Sequence, residues 1–327
     1  MYSGVTKIKE ALSKMRELVL SWNLKEAVDF AKTEEGLKAL SELLTDRNPR
    51  VRLRALSVLS GVLEEIDSGK GRLVELFFDP LIHLLNSGDE RACVRALPVL
   101  KRLIEGSHLQ LSEFGRLVSA LFSIAEECDG MAWNEAVEIL KVTPIAVMPE
   151  GIGPVVRDYI LSGNVRTATL GAYILVQEGD SLEGISEEVL AVLGRALRCG
   201  DPTTVELALM TVRELLRVPP TYPVDTVLLG LVPYLRSLSE EGENVKIRQE
   251  AKTVLNTLLD TLRDYYQKNP WELERSLRHL VRGERKEDAI LIASLMGDPS
   301  ILLAVEGGTN FSGGSGKELG TMGGREL

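Results

Sequence analysis

The stretch that decides the fold is Val51-Arg52-Leu53-Arg54-Ala55-Leu56-Ser57-Val58-Leu59, because its pattern returns 196 positions later in the chain. In the second copy, Ile247-Arg248-Gln249-Glu250-Ala251-Lys252-Thr253-Val254-Leu255, an apolar residue, the arginine, the alanine and the final valine-leucine pair keep their places. The spacing of the apolar residues puts them on one face of a helix. Two copies of one amphipathic helix, this far apart, predict an internal repeat.

The alanine of this pattern marks further copies of the helix. A shift of 41 residues carries Arg54-Ala55-Leu56 onto Arg95-Ala96-Leu97. A small residue here lets two helices approach closely, and another apolar stretch precedes most copies, so each period predicts two antiparallel helices. The alanines, spaced 36 to 43 residues apart, are Ala55, Ala96, Ala136, Ala172, Ala208, Ala251 and Ala289.

Turn signals and prolines recur at related places in these units. Asn48-Pro49 and Gly200-Asp201-Pro202 combine a capping side chain with a proline suited to a first helical turn. Pro80 and Pro233 each stand five residues before a leucine in a predicted first helix, which predicts a shared kink.

With these motifs, residues 33–306 resemble the HEAT-repeat, or HEAT/armadillo-like, α-solenoids. The resemblance implies an all-α fold, a right-handed α-α superhelix of about seven helix pairs. It also implies that repeats contact mainly their neighbours.

The two ends of the chain differ from this repeated body. Residues 1–32 hold two amphipathic stretches, 5–20 and 24–31, which lack the alanine pattern and predict an N-terminal helical cap. Residues 307–327 are rich in glycine and predict a flexible C-terminal tail. We therefore expect a cap, a solenoid over 33–306 and a tail.

Composition favours a folded helical protein of the cytoplasm. Hydrophobic residues make up 44% of the chain and aromatic residues only 5%, which suits helix packing better than a β-sandwich. The net charge of -10 argues against coating nucleic acid or anionic lipid through the overall field. We find neither a signal peptide nor a run of about 18 apolar residues, and so predict no membrane association. The four glutamines, beside abundant Glu and Arg, are typical of a heat-adapted source.

The residues that usually carry chemistry form no catalytic motif. The histidines, His83, His108 and His279, are each followed by leucine, whereas HEAT-like di-iron enzymes carry repeated His-Glu pairs. The cysteines, Cys93, Cys128 and Cys199, are widely spaced and form no CxxC pair. The glycine-rich stretch 313–318 lacks the first glycine and the final Ser or Thr of a phosphate loop. We therefore predict no catalytic residue, cofactor or metal.

Arginines at related repeat positions are the most informative charges. In HEAT-like solenoids, an arginine at the start of a second helix pairs with an aspartate of a neighbouring turn, and Asp46 with Arg52 fits that ladder. The other interpretation is a basic groove that holds a phosphate or an acidic protein. The residues that we predict to bind a partner are Arg50, Arg54, Arg91, Arg95, Arg248 and Lys252.

These observations predict a non-enzymatic scaffold or adaptor that holds a protein or peptide on the solenoid surface. Two alternatives stay open. One is a nucleic-acid-associated HEAT-like protein of DNA repair or chromosome organisation, which would bind phosphates with its arginine rows. The other is a regulatory subunit of a larger enzyme complex. Scarce aromatics argue against stacking on bases.

Overall fold

The computed structural model describes residues 2–65, 70–107, 109–128, 130–143, 152–178, 186–297, 301, 303 and 305. Every regular element in these ranges is a helix, so the fold is all-α, as predicted. The predicted tail, 307–327, lies outside the described residues, and so does His108. No helix in the described ranges is both long enough and apolar enough to cross a bilayer.

The helices follow one another closely along the chain. In order they are α1 (Tyr2–Ser21), α2 (Leu24–Ala31), α3 (Glu34–Leu44), α4 (Pro49–Glu65), α5 (Lys70–Leu85), α6 (Glu90–Ile104), α7 (Leu111–Glu127), α8 (Gly130–Leu140), α9 (Ile152–Ile160), α10 (Val165–Glu178), α11 (Ser186–Ala196), α12 (Pro202–Leu215), α13 (Val224–Leu228), α14 (Val232–Glu241), α15 (Val245–Lys268), α16 (Pro270–Arg282) and α17 (Lys286–Met296).

From α3 onward the helices form pairs, and the described residues contain seven of them. Each second helix carries one alanine of the repeated series, and all seven alanines are 0% exposed. Successive second helices, such as α4 and α6, pack side by side, and so do the first helices α3 and α5. The two helices of one pair also pack on each other, as α3 does on α4 and α5 on α6, in agreement with the predicted approach within a repeat.

The first two helices extend the stack at its amino end. α1 packs on α3, and α2 packs on α4, so this pair continues both layers. The buried side chains of α1, Ala11, Met15 and Val19, recur every four residues and form the stripe expected of an amphipathic helix.

The middle of the solenoid departs from a strict nearest-neighbour stack. α10 packs against α7, α9, α11 and α12, and its residues 167–176 are all buried. The second helix α8 also packs directly on α12, the second helix two pairs further along the chain. The prediction that repeats contact mainly their neighbours is therefore wrong in this region. Residues 167–176 are apolar apart from Thr167 and Thr169. Their hydroxyls donate to backbone oxygens of Asn164 and Val165, so α10 can be buried on all sides.

Pro80 and Pro233, which each stand five residues before a leucine, occupy different positions in their helices. The predicted shared kink is therefore wrong. Pro80 lies within the continuous helix α5. Pro233 stands at the first turn of α14, after a short 3-10 turn, Leu229–Leu231, that separates α14 from α13. Gly230 lies in that turn, and its low helix propensity favours a break there.

Candidate interaction edge

Arginines join the turns between paired helices. The predicted ion pair between the side chains of Asp46 and Arg52 is wrong, because Arg52 pairs with the carboxylate of Asp89 instead. Arg52 Nη1 donates to the backbone oxygen of Asp46 at 3.0 Å, and Nη2 donates to the carboxylate of Asp89 at 2.9 Å. The carboxylate of Asp46 accepts from Arg16 at 2.6 Å and from the backbone N–H of Asn48 at 2.8 Å. The carboxylate of Asp46 thus already has two donors, and the Arg52 side chain extends to Asp89 in the turn before α6.

A second arginine repeats this arrangement further along. Arg166, in the first turn of α10, donates to Asp201 Oδ2 at 3.1 Å and to the backbone oxygen of Cys128 at 3.1 Å. Arg52 and Arg166 therefore each join two turns of the solenoid. These two guanidinium groups have a structural role that accounts for their positions.

Other arginines of the same region have no such partner. Arg50, Arg91 and Arg95 are exposed. Among the residues that the structure describes, no carboxylate lies within 4.0 Å of their side chains. Residues 46–54 and 89–95 together hold six arginines and three acidic residues, and two of those acids, Asp46 and Asp89, are held by Arg16 and Arg52. A net positive surface results.

The two helices that carry these arginines lie in register. Arg102 of α6 donates to Glu64 at 2.6 Å and to Ser60 at 3.3 Å, both on α4. This offset agrees with the 41-residue shift, which sets Arg95 beside Arg54. We call the surface formed by Arg47, Arg50, Arg54, Arg91 and Arg95 the basic edge.

Arg54 connects the basic edge to the end of α1. Its Nη1 donates to the backbone oxygens of Val19 at 3.1 Å and Leu20 at 2.6 Å. These carbonyls belong to the last turn of α1, where no further helical turn supplies N–H donors. The Val19 oxygen also accepts from the N–H of Trp22 at 3.3 Å. The guanidinium carbon also lies 5.0 Å from the ring centroid of Trp22, within cation–π range. Sequence reasoning missed Trp22, although a tryptophan just past a helix end is an unusual signal.

Elsewhere on the second helices, cations and carboxylates are interleaved. Glu138 accepts from Lys101 at 2.9 Å and also from Lys141. Glu206 of α12 accepts from Lys141 at 2.9 Å and from Lys246 at 3.1 Å. Burial alone would raise the pKa of Glu206, but the hydrogen bonds from the two lysines outweigh it and lower that pKa. Five charged side chains are thus paired with one another in this network: Lys101, Glu138, Lys141, Glu206 and Lys246.

The last two predicted partner-binding residues lie apart from the basic edge. Arg248 and Lys252 are on α15, which packs on α12 and α17 and not on α4 or α6. Arg248 Nη1 donates to the backbone oxygen of Gly242 at 2.6 Å, the same contact, six residues back, that Arg52 makes with Asp46. Lys252 is exposed. The structure therefore brings together Arg50, Arg54, Arg91 and Arg95 but not this pair.

A buried carboxyl group joins three helices near the carboxyl end. Asp225 of α13 is 0% exposed, and its Oδ2 accepts from Tyr266 at 2.8 Å and from Ser276. Burial raises the pKa of Asp225 more than these hydrogen bonds lower it, and the charge of Glu272 raises it further. Burial also raises the pKa of Tyr266. We assign a structural role to the Asp225 carboxyl group, because the side chains that bond to it are buried in the core.

A cavity of about 920 Å³ opens between α11, α14 and the turn before α17. Its lining includes four cations and four carboxylates, so charge does not favour one ligand class. Arg198 lies over the ring of Tyr234 at 4.5 Å, and Arg285 pairs with Asp288 at 2.6 Å. Within the described ranges, no three His, Cys, Asp or Glu side chains are grouped to hold a metal ion. Cys93 is buried. Cys199 is exposed as a residue, but partial desolvation of its sulfur raises the pKa of the thiol.

Fold and turns together define a HEAT-like repeat solenoid. A solved structure similar to this chain is the archaeal HEAT-like repeats protein from Thermococcus onnurineus NA1, with a TM-score of 0.63 and 24% sequence identity. The match covers 77% of this chain and 98% of the archaeal chain. At this identity the similarity is one of fold. No protein-family model matches the sequence, and no curated protein matches it.

Proposed function

We propose that the chain is a non-enzymatic interaction scaffold that holds an acidic segment of a protein partner along the basic edge. The observation that carries this proposal is the exposure of Arg50, Arg91 and Arg95 without a carboxylate partner among the described residues. Guanidinium groups bind carboxylates through two parallel hydrogen bonds, so unpaired arginines on adjacent helices suit an acidic peptide. A HEAT-like solenoid is compatible with this use.

Charge supports a protein partner over nucleic acid. The net charge of the chain is -10, which repels a long polyanion outside a local patch. The basic edge is confined to α4, α6 and the turn before α4. A short acidic segment matches this length, whereas affinity for nucleic acid grows with the number of phosphates that cations neutralise. Further along, Lys141 after α8 and Lys246 on α15 are already paired with Glu206 of α12.

The test measures binding of two defined probes by fluorescence anisotropy. One probe is a labelled octaglutamate peptide, and the other is a mixed-sequence single-stranded DNA 20-mer. In the edge variant, Arg50→Glu, Arg91→Glu and Arg95→Glu are combined. In the control variant, Arg236→Glu, Lys268→Glu and Arg282→Glu change three exposed cations, so both chains have the same net charge.

We expect the octaglutamate peptide to bind the native chain and the control variant alike, and the edge variant about tenfold more weakly or not at all. Equal losses in both variants would show attraction to net charge only. Binding of DNA with no binding of the peptide would replace the proposal with the nucleic-acid alternative. Both probes are measured at 50 mM and 150 mM salt, because contacts with exposed charges weaken as salt rises.

A further inference from the structure

We infer that Trp22 is an apolar anchor at one end of the basic edge, so that the bound segment carries a leucine-like or aromatic residue next to its acidic residues. This inference rests on the proposed function, and it adds which class of side chain the bound segment presents to the basic edge. Three observations carry it: the backbone conformation of Trp22, its exposure, and the contact between its ring and Arg54.

The backbone of Trp22 is strained. Its φ is +61°, in the left-handed region that bulky side chains rarely adopt. The N–H of Asn23 donates to the oxygen of Leu18 at 3.0 Å, which makes this turn a Schellman ending of α1 with Trp22 at the left-handed position. Among the described residues, glycine holds four of the six positions with positive φ, and Glu284 is the other exception. Trp22 therefore occupies a place where glycine is more stable by about 1 kcal/mol.

The ring of Trp22 is not explained by core packing. Trp22 is 50% exposed, and Leu20 and Leu24 on either side of it are 42% and 38% exposed. Three exposed apolar residues thus fall within five positions of the chain, at the amino end of the solenoid. Trp22 is also absent from the partly buried side chains that pack against the hydrophobic core, so a strained tryptophan at this position points to a role outside core packing.

Arg54 holds the ring in place and gives it a charged neighbour. Its two hydrogen bonds to Val19 and Leu20 fix the guanidinium over the indole. Tryptophan and arginine are the residues most enriched among interface positions that dominate binding energy. Arg50 lies one helical turn from Arg54 on the same face of α4. A bound segment that contacts both therefore places an apolar side chain on Trp22 and carboxylates on the arginines that follow.

The experiment compares three labelled peptides on the full chain: octaglutamate, and hexaglutamate with two leucines at either its amino or its carboxyl end. We expect the better leucine peptide to bind about tenfold more tightly than octaglutamate. In Trp22→Gly and, separately, in Trp22→Asn, the leucine peptides should bind no more tightly than octaglutamate does. Trp271→Ala, at a 61% exposed tryptophan on α16, is the matched control and should keep the gain.

Thermal unfolding of the same variants separates binding from folding. Because glycine and asparagine accept a left-handed backbone, we expect both variants at position 22 to keep or raise the unfolding midpoint. If octaglutamate binds the native chain but leucines add nothing, or if the gain persists in both variants, the anchor is wrong while the basic edge stands. A midpoint that falls in both variants would make Trp22 a structural cap and overturn the inference. If octaglutamate itself fails to bind, the proposed function falls first.

Discussion

Trp133 Nε1 donates a hydrogen bond of 3.0 Å to Thr204 Oγ1, and both side chains are fully buried. Thr204 Oγ1 in turn donates to Asp201 Oδ2 at 2.6 Å, and the same carboxylate oxygen accepts from Arg166. One chain of hydrogen bonds thus joins α8, the start of α12 and the start of α10. These hydrogen bonds lie where α8 packs directly on α12, which is where the solenoid departs from a nearest-neighbour stack.

The first prediction removes the middle of this chain. Thr204→Val keeps the shape of the side chain but leaves Trp133 Nε1 buried without an acceptor. We expect the free energy of unfolding to fall by about 1–3 kcal/mol, the range for an unsatisfied buried donor. Urea unfolding measures it. Thr203→Val, at the partly exposed neighbour, is the control; an equal loss of stability there would mean that the Trp133 contact contributes little.

The second prediction concerns the buried carboxyl group of Asp225. Its pKa is raised by burial, so the folded chain keeps a proton that the unfolded chain releases. This contribution to stability is present below the ordinary aspartate pKa and is lost as pH rises through the raised value. Asp225→Asn has no such proton to lose. The stability of the variant relative to the native chain should therefore improve as pH rises from 4 to 8.

Urea unfolding at several pH values gives this difference directly. Tyr266, Ser276 and Glu272 face the same carboxyl group and are left unchanged in both chains. Asp260→Asn serves as the control, because Asp260 is exposed and pairs with Arg263 on the surface. A difference for Asp225→Asn that does not change with pH would contradict the prediction.

The third prediction breaks the charge network at its central carboxylate. Glu206→Gln weakens the contacts of both Lys141 and Lys246 with α12. We expect a loss of about 1 kcal/mol at pH 7 in low salt, since the side chain is only 18% exposed, and a smaller loss in 1 M NaCl. Because the pKa of Glu206 is lowered in the folded chain, the native advantage should disappear as pH falls through that lowered value.

The control for this network is an exposed ion pair. Glu64→Gln removes the partner of Arg102, and the Glu64 side chain is 61% exposed. Its loss should be smaller than that of Glu206→Gln and nearly absent at high salt. Equal losses at both sites would indicate that exposure does not govern the strength of these contacts.

The fourth prediction checks the repeat register. Ala251 is 0% exposed at the contact between paired helices, so Ala251→Leu should overpack α15 and lower stability by about 1–3 kcal/mol. Lys252→Leu, at the exposed next position, adds a side chain of similar size where there is room. A thermal unfolding midpoint unchanged in Ala251→Leu would count against the register.

Much of the fold could be predicted, because each repeat is recognisable from the spacing of residues within its own helices. The spacing of apolar residues around Ala55 and Ala251 fixes both the helix and its buried face. The burial of α10 could not be predicted this way, since an apolar segment looks the same in a core and at an interface until its neighbours are known.

The candidate site could be predicted only in part. Arg50, Arg54, Arg91 and Arg95 share repeat positions, so the sequence indicates that they lie together. Which of them stays unpaired depends on contacts 30 or more residues away, such as that of Arg16 with Asp46. No spacing rule in the chain encodes such contacts.

The direct contact of α8 with α12 also bears on how the number of repeats can change over evolution. Where each repeat contacts only its neighbours, a repeat can be duplicated or deleted, because the repeats on either side can then pack directly on each other. Between α8 and α12, deleting one helix pair would remove a partner from helices on both sides at once. Gain or loss of repeats should therefore be confined to the parts of the array outside this junction, and the α7–α12 segment should keep its length.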